Sequence, residues 1–139
     1  MIKFAKERVN LICNQLKGWS IVQKVHLDSM RVKEGCFITP TEADAAPGEW
    51  KNFDMGKDHW YGPDRHYWFR TEVTVPESFD GKELWLRIHT GLNDWDDGRN
   101  PQFLLFINGQ VIQGLDINHR EVFVKANAKA GETFRMDLQ

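Results

Sequence analysis

The densest group of side chains that could do chemistry is the acidic cluster Asp94, Asp96 and Asp97. A retaining glycoside hydrolase needs two carboxyl groups about 5–5.5 Å apart, one as nucleophile and one as acid/base. Calcium also binds clustered carboxylate oxygens, but Gly98 stands where a helix-loop-helix calcium site carries a further ligand. We therefore interpret the cluster as a solvated turn, with calcium binding as the first alternative and catalysis as the second.

The histidines and serines form no recognisable metal or nucleophile pattern. Zinc requires three or four converging ligands, and no two histidines have the spacing of a helical zinc motif. His59 and His66 flank a Trp-Tyr-Gly-Pro turn and could approach each other, but they would be only two ligands. Ser20, Ser29 and Ser78 lack the flanking glycines of a nucleophile elbow. The sequence thus predicts neither a metal site nor a catalytic site in this chain.

A second polar group, Asn118-His119-Arg120-Glu121, combines planar hydrogen-bond donors with a carboxylate. At strand periodicity His119 and Glu121 share a face, and Arg120 projects from the other. Three interpretations remain open: a surface ion-pair network at a strand end, contact with a neighbouring domain through Asn118 and Arg120, or direct contact with a sugar.

The chain is rich in large aromatic side chains, with six tryptophans and nine phenylalanines. Trp60 and Trp95 are predicted to lie in loops, and Asp94 and Asp96 surround Trp95. Exposed tryptophans can stack on the apolar faces of sugar rings while carboxylates bind hydroxyls, so these four residues are candidates for sugar binding. Alternatively, the loop tryptophans fold back as lids or meet a neighbouring domain.

One convincing helix is predicted, at residues 2–17, and Gly18 is expected to end it. Its apolar side includes Val9, Ile12 and Cys13, so we expect the Cys13 thiol to pack against other residues. Phe4 and Leu11 point to the opposite side of the helix. A solitary domain has little use for apolar residues on both faces, so we expect residues 1–18 to pack on the sandwich or on a missing neighbour. Cys36 is the other cysteine, and we expect both to remain thiols.

From residue 67 onwards the pattern is that of β-strands. Within 67–75 and 83–90 apolar residues alternate with polar or aromatic ones, which places Trp68 and Trp85 away from the main apolar face, in a second core or an interface. Asn108-Gly109 predicts a two-residue hairpin. The other predicted strands are 102–107, 110–115, 121–125 and 133–138, with weaker ones at 21–27 and 31–38, and 39–52 is expected to be a loop.

Short strands joined by turn residues predict a mainly β fold, an antiparallel sandwich or jelly roll at residues 19–139 with one N-terminal α-helix. The last strand alternates up to Leu138 without a tail, so we expect the sandwich to continue beyond Gln139. The formal charge of −2 gives no electrostatic reason to bind nucleic acid. The chain contains neither a membrane-spanning apolar run nor a secretory signal, so we expect a cytoplasmic protein without a membrane partner.

The segment 100–121, NPQFLLFINGQVIQGLDINHRE, resembles the N-terminal domain of glycoside hydrolase family 38 α-mannosidases of the bacterial and cytosolic/vacuolar type. Glu7-Arg8-Val9 looks like the opening helix of that family, and Trp50 and residues 67–88 look like its following strands, so the resemblance covers essentially the whole chain. It implies a galactose-binding-like jelly roll that lies beside a later catalytic domain. In the family that domain carries a zinc ion and a carboxylate nucleophile and removes α-linked mannose from glycans.

Two functional hypotheses follow. The first is a non-catalytic scaffold of an α-mannosidase, whose partners are the catalytic domain of the same parent chain and a second copy in a homo-oligomer. Phe4, Leu11, Asn118, His119 and Arg120 are its candidate contacts between domains. The second is an autonomous carbohydrate-binding module that uses the loop tryptophans and the acidic loop. No cofactor is expected in this chain under either hypothesis, and zinc would belong to the parent's catalytic domain.

Overall fold

A computed structural model describes residues 4–90 and 101–139 of the chain. About 35% is strand and 20% is helix, which confirms the prediction of a mainly β protein with one main helix. The helices are α1 (Ala5–Ser20) and α2 (Pro40–Ala45), with a short 3-10 helix at Glu77–Phe79. The strands are β1 (Ser29–Glu34), β2 (Lys51–Asp54), β3 (Tyr67–Thr74), β4 (Leu84–Arg87), β5 (Phe103–Ile107), β6 (Gln110–Leu115), β7 (Glu121–Lys125) and β8 (Thr133–Leu138).

The strands of the described part form two antiparallel sheets that pack face to face. The larger sheet has the order β2-β1-β3-β8-β5-β6, and the smaller one pairs β4 with β7. At the centre of the larger sheet, β3 and β8 pair from Phe69–Leu138 to Thr74–Thr133. Phe69, Leu138 and Leu105 form the main core with Val122 of the smaller sheet. The antiparallel two-layer arrangement agrees with the predicted sandwich.

A separate apolar cluster lies on the outer face of the larger sheet, beneath α2. It contains Ala43, Trp68 and Phe106, all buried. Trp68 therefore belongs to a second core, one of the two environments that its position in the strand pattern predicted. The buried Lys33 side chain runs to α2, where its Nζ donates to the carbonyls of Ala43 (2.7 Å) and Ala46 (2.8 Å). These bonds satisfy a charged group that would otherwise be costly to bury.

The prediction of a loop at 39–52 was wrong, because this segment contains α2 and begins β2. The Oγ1 of Thr39 accepts a hydrogen bond from the Glu42 N–H (3.2 Å), and Pro40 follows at the first helical position. Both features favour the start of a helix. The prolines and alanines that suggested a loop in fact form a short helix, because Trp68 and Phe106 provide a surface on which it packs.

Four predictions at the N-terminal side differ from the structure, one of them only in the bounds of a strand. Residues 21–27 form no strand, since extended backbone gains little without a neighbouring strand to pair with. The predicted strand at 31–38 is β1, which begins earlier and ends at Glu34, before the bend at Gly35. Helix α1 continues through Gly18 to Ser20, and the Cys13 thiol is exposed instead of packed, because no residue of α1 is buried.

The Asn108-Gly109 turn joins β5 to β6 as predicted. Both residues have positive φ, 50° at Asn108 and 82° at Gly109, which is the geometry of the favoured two-residue hairpin turn. The Asn108 Oδ1 also accepts from the Arg135 N–H at 3.0 Å, so the turn is attached to the neighbouring strand β8. Leu105 and Phe106 point to opposite faces of β5, and both are buried, which agrees with the nearly continuous apolar sequence of this strand.

Candidate functional site

The apolar side chains of helix α1 are all exposed to solvent. Phe4 is 66% exposed and Leu11 60% exposed, and Val9, Ile12 and Leu16 are each more than half exposed. The structure therefore places neither the predicted main face nor the opposite face of the helix in the core of the sandwich. We call the apolar side chains of α1 and its flanking Phe4 the helix surface; they are Phe4, Val9, Leu11, Ile12, Leu16 and Trp19.

The helix surface is costly to leave in water. Burying one apolar side chain of this size against a partner would stabilise the assembled state by about 1.5–3 kcal/mol. A large group of exposed apolar side chains is typical of a protein interaction site. Phe4 and Leu11, which the sequence predicted as contacts between domains, thus lie on a surface that is open to a partner.

The other predicted contact residues, Asn118, His119 and Arg120, lie in the turn before β7 and not within a strand. Asp116 organises this turn: its Oδ1 accepts from the N–H groups of Asn118 and His119, each at 2.7 Å. The hydrogen bond from the His119 N–H, followed by that from Asn118, outweighs burial and lowers the pKa of Asp116 below its usual value. Arg120 donates to the carbonyl of Ile117 at 2.8 Å.

The contacts of this turn are therefore mostly local. The His119 ring lies 3.0 Å from Asp116 through its Nδ1, and Glu121 pairs with Arg87 of β4. Sequence reasoning missed Asp116, although an aspartate two residues before Asn118 is the usual pattern of a side chain that closes its own turn. His119 and Asn118 remain exposed, so a partner can reach them on the outer side of the turn.

Trp60 lies against the main core, not on an open platform. Its ring centroid is 5.2 Å from that of Phe69 and 6.1 Å from that of Phe103, and Phe53 is a third neighbour at 6.4 Å. It is half-buried, in the position of a lid over the core. The other three sugar-binding candidates, Trp95, Asp94 and Asp96, lie outside the described residues.

An exposed aromatic pair marks the outer face of the smaller sheet. Trp85 is 55% exposed and Phe123 46% exposed, with ring centroids 5.4 Å apart in an edge-to-face arrangement. The Trp85 Nε1 donates to Glu83 at 3.3 Å. The position of Trp85 away from the main apolar face predicted a second core or an interface, and the structure places it on this open surface.

A charged network crosses the outer face of the larger sheet beside α2. The guanidinium of Arg70 pairs with Asp44 of α2 and with Asp137 of β8, and it lies 4.1 Å above the ring of Trp50. Arg135 reaches the same Asp137 at 3.0 Å. Burial raises the pKa of Asp44, but the hydrogen bond and charge of Arg70 and the charge of Arg135 outweigh it, so this pKa is below its usual value.

No helix among residues 4–90 and 101–139 is long and apolar enough to cross a membrane. In the same part of the chain, no three His, Cys, Asp or Glu side chains come together as a metal site would require. Cys13 and Cys36 are both exposed thiols.

A comparison of the chain with models of protein families, with curated protein sequences and with solved structures returned no significant match.

Proposed function

We propose that this chain is a non-catalytic jelly-roll domain that docks on a neighbouring protein domain through helix α1. The observation that carries the proposal is that no residue of α1 is buried, although the helix bears apolar side chains on both faces. Tertiary packing provides most of the stability of helices of this length. A neighbour that covers the helix surface would supply the packing that the sandwich does not.

The identity that we propose for this neighbour is the catalytic domain of a family 38 α-mannosidase in the cytoplasm. The support is the resemblance of residues 100–121 to the N-terminal domain of that family. On this proposal the zinc ion and the carboxylate nucleophile belong to the neighbour, which removes α-linked mannose from glycans. This chain would hold and orient that domain, and a homo-oligomer would form through the assembled pair.

The direct test is to mix this chain with the purified catalytic domain of a family 38 α-mannosidase and to measure complex formation by light scattering and calorimetry. We expect a one-to-one complex. Ile12→Asp and Leu16→Asp place a charge on the helix surface, and each should weaken the complex at least about tenfold, since a charge buried without a partner is strongly unfavourable.

Asn14→Asp is the matched control, because Asn14 lies on the polar side of the same helix and the substitution introduces the same charge. Circular dichroism should show unchanged helix content in all three variants. The proposal is wrong if no complex forms, if Asn14→Asp weakens it as much as Ile12→Asp, or if the chain instead associates only with itself through α1.

A further inference from the structure

The outer face of the larger sheet carries a groove of about 590 Å³ that lies apart from helix α1 and from the β6–β7 turn. Its volume is within the range of about 300–1,000 Å³ that is typical of small-molecule sites. Side chains from four neighbouring strands and from the residue before β1 line it, among them Asp28, Arg31, Asn52, Arg70, Glu72 and Arg135.

The groove forms where the larger sheet splits. Strand β1 pairs with β2 as far as Ser29, and β3 pairs with β8 as far as Thr74. The pairing between β1 and β3, however, ends at Arg31–Arg70, so the pairing of Ser29 with Glu72 that would continue this register does not form. Both residues line the groove instead. The opening is therefore a consequence of strand register and not a gap between loops.

Register also places two arginines side by side on the floor of the groove. Arg31 is directly opposite Arg70 in the β1–β3 ladder, and like charges in this position repel each other. Asp44 and Asp137 neutralise Arg70. Arg31 is exposed, and its side chain makes no hydrogen bond or ion pair within the described part of the chain. Its guanidinium group is therefore free to bind a ligand.

A free carboxylate lies on the other side of the split. Glu72 is directly opposite Arg135 in the β3–β8 ladder, but Arg135 pairs with Asp137 and Asp44. Within residues 4–90 and 101–139 Glu72 makes no ion pair, and it is exposed. The exposed Asn52 amide stands opposite Arg31 on the β2 side. The groove therefore has a hydrogen-bond donor in Arg31, an acceptor in Glu72, and in Asn52 an amide that can both donate and accept.

The charged groups that line the groove are of both signs. Three arginines and three carboxylates line it, the latter being Asp28, Asp54 and Glu72. Because Asp44 and Asp137 already pair with Arg70 and Arg135, the groove has no excess of positive charge that would favour an anion. Neighbouring strands are about 4.8 Å apart, so four strands extend the polar surface over about 14 Å. A mixture of donors and acceptors over that length matches a chain of hydroxyl groups, each of which both donates and accepts.

From this arrangement we propose that the groove binds a short, uncharged oligosaccharide. Arg31 donates to its hydroxyl groups, Glu72 accepts from them, and the Asn52 amide does both. This site uses none of the tryptophans that the sequence indicated for sugar binding. It does not depend on the docking of helix α1, so either proposal can fail while the other stands.

The test is calorimetric titration of the whole chain with mannotriose, maltotriose and chitotriose, and with glutamate and inorganic phosphate as charged probes. We expect at least one trisaccharide to bind with a Kd of about 1 mM or lower. Arg31→Gln and Glu72→Gln should each raise that Kd at least about tenfold, the scale of a hydrogen bond to a charged group. Arg87→Gln, an exposed arginine of the smaller sheet, is the control and should leave it unchanged.

Arg31→Gln and Glu72→Gln should also leave the melting temperature within about 2 °C of the parent chain, because neither side chain has an ion-pair partner in the described residues. NMR shifts on titration should map to β1, β2 and β3, and Ile12→Asp should not alter binding. The proposal fails if no trisaccharide binds, if only glutamate or phosphate binds, or if Arg87→Gln weakens binding as much as Arg31→Gln.

Discussion

The guanidinium of Arg70 and the carboxylate of Asp137 form an ion pair between directly opposed positions of β3 and β8. Asp137 is 0% exposed, and its second oxygen accepts from the Nε of Arg135 at 3.0 Å. One buried carboxylate therefore binds two arginines, one on each of the two central strands of the larger sheet. The pair with Asp137 neutralises Arg70. Arg31, which lies opposite Arg70 in the β1–β3 ladder, has no counterion among the described residues.

Replacing Asp137 should destabilise the domain strongly. Asp137→Asn keeps the size of the side chain but leaves Arg70 and Arg135 facing a neutral amide, with part of Arg70 buried. Removing one partner of a buried ion pair costs about 3–5 kcal/mol, and the partial exposure of Arg135 reduces this to about 2–4 kcal/mol. Urea denaturation measures the change. Glu72→Gln on the same face should change stability by less than about 0.5 kcal/mol, and equal losses in both variants would contradict this account.

The ion pair of Asp44 makes part of the stability dependent on pH. The pKa of Asp44 in the folded protein is below 3.8, its usual value, which we take for the unfolded chain. At a pH between these two pKa values, the folded protein binds fewer protons than the unfolded chain. The contribution is therefore present above pH 3.8 and is lost as the pH falls through the folded pKa. The side chain is partly exposed, so we expect less than about 1 kcal/mol.

The measurement for Asp44 is the difference in unfolding free energy between the parent chain and Asp44→Asn at a series of pH values. This difference should be constant near neutral pH and should shrink below pH 3.8. A difference that grows on acidification has the wrong sign and would refute the assignment.

Trp68 should tolerate replacement by phenylalanine unusually well. It is 0% exposed, and its Nε1 has no hydrogen-bond partner within the described residues. Leaving such a donor buried costs about 1–3 kcal/mol, and its removal offsets the smaller apolar area that a phenylalanine ring buries. We expect Trp68→Phe to change stability by less than about 1 kcal/mol, whereas Trp68→Ala should cost about 3–5 kcal/mol. Thermal and urea unfolding would show a disagreement if Trp68→Phe lowered stability by more than about 2 kcal/mol.

Polar substitutions on helix α1 should hardly affect the stability of the isolated chain. The Phe4 and Leu11 side chains are mostly exposed, so Phe4→Ser and Leu11→Ser should each cost less than about 0.5 kcal/mol. Leu105→Ala is the contrasting variant, because Leu105 is 0% exposed and its truncation should cost about 2–5 kcal/mol. A loss of more than about 2 kcal/mol on replacing Leu11 would show that the helix surface is covered by this chain itself.

The β5–β6 hairpin offers a graded test of backbone strain. Asn108 has a φ of 50°, and its side chain accepts from the Arg135 N–H. Asn108→Gly removes only that bond, about 1 kcal/mol, because glycine adopts positive φ without strain. Asn108→Ala also forces a β-carbon into the left-handed region, so we expect a loss of about 2–3 kcal/mol. If the two variants proved equally stable, positive φ would not matter at this position.

The strands could be predicted wherever alternation and turn residues lie within one short segment. Residues 67–75 alternate and become β3, and Asn108-Gly109 defines its own turn through residues that accept positive φ. α2 and β2 were missed because their sequences are ambiguous alone, and the Trp68 cluster that stabilises α2 comes from distant strands. Of the predicted contacts between domains, the exposure of Phe4 and Leu11 agrees with the proposal, and the turn at Asn118–Arg120 depends on Asp116.

The fold class, the later strands and the main helix follow from the amino-acid sequence, because hydrophobic periodicity and turn chemistry are local properties. Two further features are properties of the three-dimensional packing: α1 buries none of its apolar residues, and Arg70 pairs with Asp137, which is 67 residues away in the chain. A third such feature is the end of the β1–β3 pairing at Arg31–Arg70, which leaves a groove between Arg31 and Glu72. These features depend on which strands become neighbours and in what register, and that is set by the packing of the whole domain.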